Sequence, residues 1–127
     1  MKNYFFKILF LSLLIFCGCK TADDYVLLED TSSIYQYADK KISLVGELSD
    51  IPWQHMIAYV EGHPYSEYFD IPGYQIVIYS KTQIKCQGKV KLYGTVLKVQ
   101  GKGKRPDPGD DLYTEYHLVV DKWECAQ

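Results

Sequence analysis

Residues 41–48 read Lys41-Ile42-Ser43-Leu44-Val45-Gly46-Glu47-Leu48. Ile42, Leu44, Gly46 and Leu48 alternate with Ser43, Val45 and Glu47, which is the two-residue period of a strand with one buried face. The pattern returns further on, where Val90, Leu92, Gly94 and Val96 alternate with Lys89, Lys91, Tyr93 and Thr95. Both stretches carry Leu-x-Gly-x-(Leu/Val), as Leu44-Val-Gly46-Glu-Leu48 and Leu92-Tyr-Gly94-Thr-Val96. Glycine inside a strand costs stability and marks a bulge, a sharp bend or a close backbone approach. Two glycines at the same phase point to two neighbouring strands that coil tightly, as in a small closed barrel.

Working outward, Glu67 to Ile71 and Tyr74 to Tyr79 are two further strand-like runs joined by the turn signal Pro72-Gly73. Tyr116 to Trp123 is the last such run, after a Gly/Pro-rich connection from Gln100 to Asp111. Five strands are therefore predicted, at about 42–51, 67–71, 74–80, 89–99 and 113–123. Ahead of them, Tyr25 to Leu28 reads as a short strand or a packed entry segment. Thr31 to Ala38 reads as a short helix, with Thr31 or Ser32 as N-cap and Ile34, Tyr37 and Ala38 on one face.

A long first and fourth strand, a short middle hairpin and a large loop before the last strand resemble an OB-fold, the partly open five-stranded Greek-key barrel. More narrowly, Lys40-Lys-Ile-Ser-Leu-Val-Gly46 and Lys89-Val-Lys-Leu-Tyr-Gly94 resemble the KxVxVxG strand openings of the tRNA-anticodon-binding-like OB proteins of bacterial envelopes. The resemblance spans roughly residues 30–125 and implies an all-β fold: an OB-fold barrel over 30–127 with a short N-terminal helix.

The N-terminus reads differently. Met1 to Lys7 carries Lys2 and Lys7 and no acid, and Ile8 to Phe16 is an apolar run interrupted only by Ser12. A basic start and a short apolar run describe a secretory signal peptide. Such a run rises about 14 Å as a helix, against a hydrocarbon core of roughly 30 Å. It ends at Cys17-Gly18-Cys19, which resembles the lipobox of bacterial lipoproteins, where a small residue precedes the lipidated cysteine. The resemblance implies a signal peptide over 1–18, lipidation at Cys19 and a tether over 19–29. With Lys20 following the cysteine, it also implies an outer-membrane anchor facing the periplasm. Several acyl chains anchor stably, because each buried CH₂ contributes about 0.8 kcal/mol.

Cys86 and Cys125 remain. In an oxidising compartment a lone pair of cysteines is expected to form a disulfide, whereas no CxxC, Cys/His cluster or nucleophile signature supports a metal site or a catalytic thiol. In an OB topology both cysteines fall at the same end of the barrel, which a bridge requires.

With 127 residues and 24% charged side chains, the chain suits one ordinary domain and leaves no room for a two-domain nucleotide enzyme. The full chain carries a charge of −2, and loss of Lys2 and Lys7 takes the mature chain to −4. Residues 81–105 hold eight basic groups and no acid, between two acidic segments. The loop from Pro52 to Tyr65 contains Trp53, His55, Tyr59 and Tyr65, Tyr68 follows on a strand, and the later loop contains Lys102, Lys104 and Arg105. Aromatic rings beside a basic loop are the ingredients of a single-strand nucleic-acid site. The acidic net charge argues against that partner, since phosphate binders show a basic footprint. Glu47, Glu115, Asp121 and Glu124 are expected to neutralise the basic strand across the sheet.

His55, His63 and His117 lack partners at metal-ligand spacing, so no metal or cofactor is expected. No catalytic triad, carboxylate pair or phosphate loop is present, and Gly101-Lys-Gly103-Lys lacks the strand-to-helix context of a nucleotide loop. The expectation is a non-enzymatic, lipid-anchored binding module of the cell envelope. Its contact residues would be Trp53, His55, Tyr59, Tyr65, Tyr68, Lys102, Lys104 and Arg105, meeting a small ligand, a glycan or a protein. The alternatives are a single-stranded nucleic-acid binder and a structural or assembly lipoprotein with no small ligand.

Overall fold

A computed structural model describes residues 24–101 and 113–126. The predicted signal peptide, Cys19 and the loop residues Lys102, Lys104 and Arg105 lie outside the described residues. The described chain is all-β, with one short helix. Its elements are β1 (Val26–Leu27), a 3-10 helix (Thr31–Tyr37), β2 (Lys41–Leu48), β3 (Tyr65–Ile71), β4 (Tyr74–Ser80), β5 (Lys89–Gly101) and β6 (Tyr113–Cys125).

The strands form one six-stranded sheet in the order β1-β2-β3-β4-β6-β5, and β2 also pairs with β5. That antiparallel pairing runs from Lys41↔Thr95 to Glu47↔Lys89, so the two glycine-bearing strands are neighbours, as their shared motif predicts. β4 and β6 are parallel, and β3 links β2 to β4 by antiparallel ladders. Side chains of one phase from five strands converge on a core that includes Ile42, Leu44, Phe69, Ile76, Ile78, Leu92, Val96, Leu118 and Val120. Burying each contributes about 1.5–3 kcal/mol.

Both glycines sit where strands press together. A Cβ on Gly46 would strike the Asp70 carbonyl oxygen and the Phe69 ring, at the point where β2 passes from pairing with β5 to pairing with β3. A Cβ on Gly94 would strike the Val119 carbonyl, beside the irregular register between Tyr93 and Gly94.

Three sequence expectations are refined. β2 ends at Leu48 rather than near 51, because Ser49 and Ile51 turn to bond the Gln75 side chain. β3 begins at Tyr65 rather than 67. The helix is 3-10, and its N-cap is Asp30, whose carboxylate accepts the Ser32 N–H, rather than Thr31 or Ser32. Thr31 is buried instead and donates its hydroxyl to the Pro72 carbonyl, tying the helix to the β3–β4 turn. Cys86 and Cys125 form the expected disulfide, with Cα atoms 5.5 Å apart. The register also sets Glu47 opposite Lys89 and Glu124 opposite Lys91, pairing part of the basic run with acids.

Candidate functional site

The alternation in β4 and β6 decides where the site lies. Ile76 and Ile78 of β4 and Leu118 and Val120 of β6 point into the core. The opposite phase, Gln75, Val77 and Tyr79 on β4 with His117 on β6, belongs to the outer face and is nevertheless buried. It is covered by the chain's own connection between β2 and β3.

Polar side chains of that outer face hold the connection down by its backbone. Gln75 Oε1 accepts from the Trp53 N–H at 2.9 Å, and its amide donates to the Ser49 hydroxyl, the Ile51 carbonyl and Asp70. Glu115 Oε2 accepts from the Met56 N–H at 3.2 Å, and the Tyr79 hydroxyl accepts from the Ala58 N–H at 2.8 Å. These last two anchors are joined through His117. Tyr79 donates its hydroxyl proton to Nδ1 at 2.9 Å, and Nε2 donates to Glu115 Oε2 at 2.8 Å. This assignment of protons gives both ring nitrogens of a neutral His117 imidazole a partner. It agrees with burial, which pulls His117 below the ordinary imidazole value against the opposing pull of Glu115. Burial likewise raises the Tyr79 phenol, keeping it protonated.

His55 completes the cluster from the loop side, with Nδ1 3.4 Å from Glu115 Oε2 and its ring 5.7 Å from that of Tyr68. His55 Nε2 and Glu115 Oε1 are buried without a hydrogen-bond partner. His55, Glu115 and His117 line a cleft of about 310 Å³ between the helix, the starts of β4 and β6, and the loop. A second hollow of about 400 Å³ lies at the far end of the loop, among Ala58, Tyr59, His63, Ser66 and Tyr79. Among the described residues, no group of three His, Cys, Asp or Glu side chains is placed to hold a metal ion.

Of the predicted contact residues that the structure describes, the fold brings His55 and Tyr68 together and leaves Trp53, Tyr59 and Tyr65 apart from them. Trp53 is 64% exposed and Tyr59 is 91% exposed, the first bordering a hollow with Asp70 and Gln75 and the second the hollow with Ser66 and Tyr79. Tyr65 belongs to the start of β3 and is half-exposed. Tyr79 belongs to the outer face of β4 but lies fully buried under the loop. The sequence reading missed Gln75, Glu115 and His117. The spacing Glu115-x-His117, opposite in phase to Leu118 and Val120, was the available signal that both lie on one outer face. No family model matches this chain, and no curated protein matches it.

Proposed function

We propose that this chain is a non-enzymatic OB-fold recognition module, held at the bacterial envelope by lipid on Cys19, that docks a protein partner on the loop between β2 and β3. The observation that carries the reading is the state of that loop. Its backbone is clamped from beneath by Gln75, Tyr79 and Glu115, while Ile51, Trp53, Ile57 and Tyr59 stand 70, 64, 54 and 91% exposed. A loop already ordered loses little conformational entropy on binding. Large exposed apolar side chains with Trp and Tyr among them are the material of interface hot spots. These side chains are exposed rather than enclosed, with Tyr59 at the edge of the 400 Å³ hollow and Ile51 and Trp53 at the edge of another, so they fit the surface of another protein.

The barrel is supported by the pairing of β2 with both β3 and β5, by the parallel β4–β6 contact and by the two crowded glycines. OB-folds bind oligonucleotides and oligosaccharides on the outer face of their second and third strands. Here part of that face lies under the chain's own loop, and the charge after cleavage of the predicted signal peptide is −4, both of which favour a protein partner over single-stranded nucleic acid. The first described residues lie on another side. Tyr25, in the predicted tether, donates to Asp121 and packs on Tyr93. Asp121 stands six residues along β6 from Glu115, roughly 20 Å from where the loop is held.

Photo-crosslinking in intact cells tests the docking surface. A photoreactive side chain at Tyr59 is expected to give one dominant adduct that disappears with Trp53→Ala. The same weak ladder from Tyr59 and from Lys98 would refute the surface. Labelling with radioactive palmitate tests the anchor, where unchanged labelling of Cys19→Ser would refute the site.

A further inference from the structure

The cleft beside the loop is chemically one-sided. Its described lining carries a single formal charge, the Glu115 carboxylate, and no lysine or arginine. The side chains of Tyr35, Tyr74, Tyr113 and Tyr116 make up much of the remainder. Tyr35 and Tyr113 are each 56% exposed, so their rings have aromatic surface to offer at the mouth. A second acid stands close by. Burial raises the Tyr74 phenol first, and the Asp30 carboxylate raises it further.

The polar atoms left without partners agree in sense. Glu115 is about nine-tenths buried, and its Oε1 accepts nothing. With the His55 Nδ1 proton directed at Glu115 Oε2, the unpartnered His55 Nε2 is also an acceptor. Buried acceptors without donors cost about 1–3 kcal/mol each, and a ligand that supplies N–H groups removes that cost. Tyrosine faces and a carboxylate attract a cation, through the ring quadrupole and by charge.

We infer that this cleft is a binding site for an alkylammonium group, with Glu115 as the charge partner, His55 as a further acceptor and Tyr35, Tyr74 and Tyr113 as the aromatic walls. A primary amine satisfies both requirements, since it carries the charge and the hydrogens. A quaternary ammonium carries only the charge, and a neutral sugar offers hydroxyl hydrogens without it. A free diamine and the side chain of lysine in a peptide present the same chemistry. The site meets the docking loop through His55 and the Glu115–Met56 bond, whereas Tyr35 and Tyr113 lie outside that loop, so loss of amine binding in their variants is expected to leave the cross-linking result unaffected.

The test is a titration of the full mature chain in a polyoxyethylene detergent, read by the imidazole ¹⁵N resonances of His55 and His117. The probes are 1,5-diaminopentane, a lysine-containing tripeptide amide, tetramethylammonium and glucose. A saturable shift is expected with the diamine, the tripeptide or both, and which of the two binds tighter identifies the source. Tetramethylammonium is expected to bind at least tenfold more weakly, and glucose to produce no shift. Glu115→Gln should weaken the amine tenfold or more. Because Glu115 also holds the Met56 amide, Tyr35→Ala and Tyr113→Ala provide variants at exposed positions, each expected to weaken the amine severalfold with an unchanged far-ultraviolet spectrum. No saturable shift with either amine, an equal shift with glucose, or full affinity in the two tyrosine variants would overturn the assignment.

Discussion

His117 stands at the middle of a hydrogen-bond chain whose two ends are backbone amides of one loop, Met56 through Glu115 and Ala58 through Tyr79. A buried chain of this kind is stable only while each member keeps its role as donor or acceptor. The neutral form of the His117 imidazole thus couples the network to pH. Its native pKa is held below the unfolded value of about 6.5 by burial, so the unfolded chain takes up the proton first. The stability that neutral His117 supports is present above about pH 6.5 and is lost as the pH falls through its lower native value. Urea midpoints should therefore decrease from pH 7.5 to pH 5.5, and the decrease should flatten in His117→Gln. Glu67 works in the opposite sense, because burial raises its carboxyl and acidification toward its unfolded value of 4.5 relieves that cost. The same titration in a Glu67→Gln background keeps the two apart. A midpoint that stays level from pH 7.5 to pH 5.5 in that background would show that the network does not depend on the neutral imidazole.

At the scale of the elements, the paired glycines decide how sharply the strands bend. Gly46→Ala drives a methyl group into the Asp70 carbonyl and the Phe69 ring, and Gly94→Ala drives one into the Val119 carbonyl. Neither obstacle is the end of a flexible side chain in full, so the strands themselves must separate. Each substitution is expected to cost about 1–3 kcal/mol or more, the range of overpacked cores, measured as a shift in the urea midpoint. Values within error of wild type would show that the crowding is relieved by a small strand shift. This feature was legible in the sequence, because phase and residue type alone mark a strand position that tolerates no side chain. The loop from 49 to 64 was not legible in the same way. Its composition identified Trp53, Tyr59 and His55 as unusual, yet whether it stands open or lies down depends on Gln75, Tyr79 and Glu115, which come from two strands that are parallel neighbours only in the folded sheet.

Across the whole molecule, the Cys86–Cys125 bridge joins the segment before β5 to the end of β6, with a separation of 39 residues. Closing a loop of that length contributes about 4 kcal/mol on the chain-entropy model. Reduction should lower the stability of the domain by an amount of that order, read from urea unfolding with and without a phosphine reductant. A change below about 1 kcal/mol would mean that β5 and β6, paired from Val90↔Cys125 to Gly101↔Tyr113, already hold these ends together in the unfolded ensemble.

The amino-acid sequence by itself determined the strand phases, the adjacency of β2 and β5 implied by their glycines, and the pairing of the two cysteines. These are properties of periodicity and residue chemistry, and they survive any rearrangement of loops. Tertiary structure alone decided that Glu115, His117, Tyr79 and Gln75 form a buried polar floor, and that Trp53 and Tyr59 are left exposed on the loop above it. The physical reason is that hydrogen-bond partners separated by dozens of residues are chosen by which strands become neighbours. A polar side chain on an outer face reads the same in sequence whether water or a backbone amide meets it.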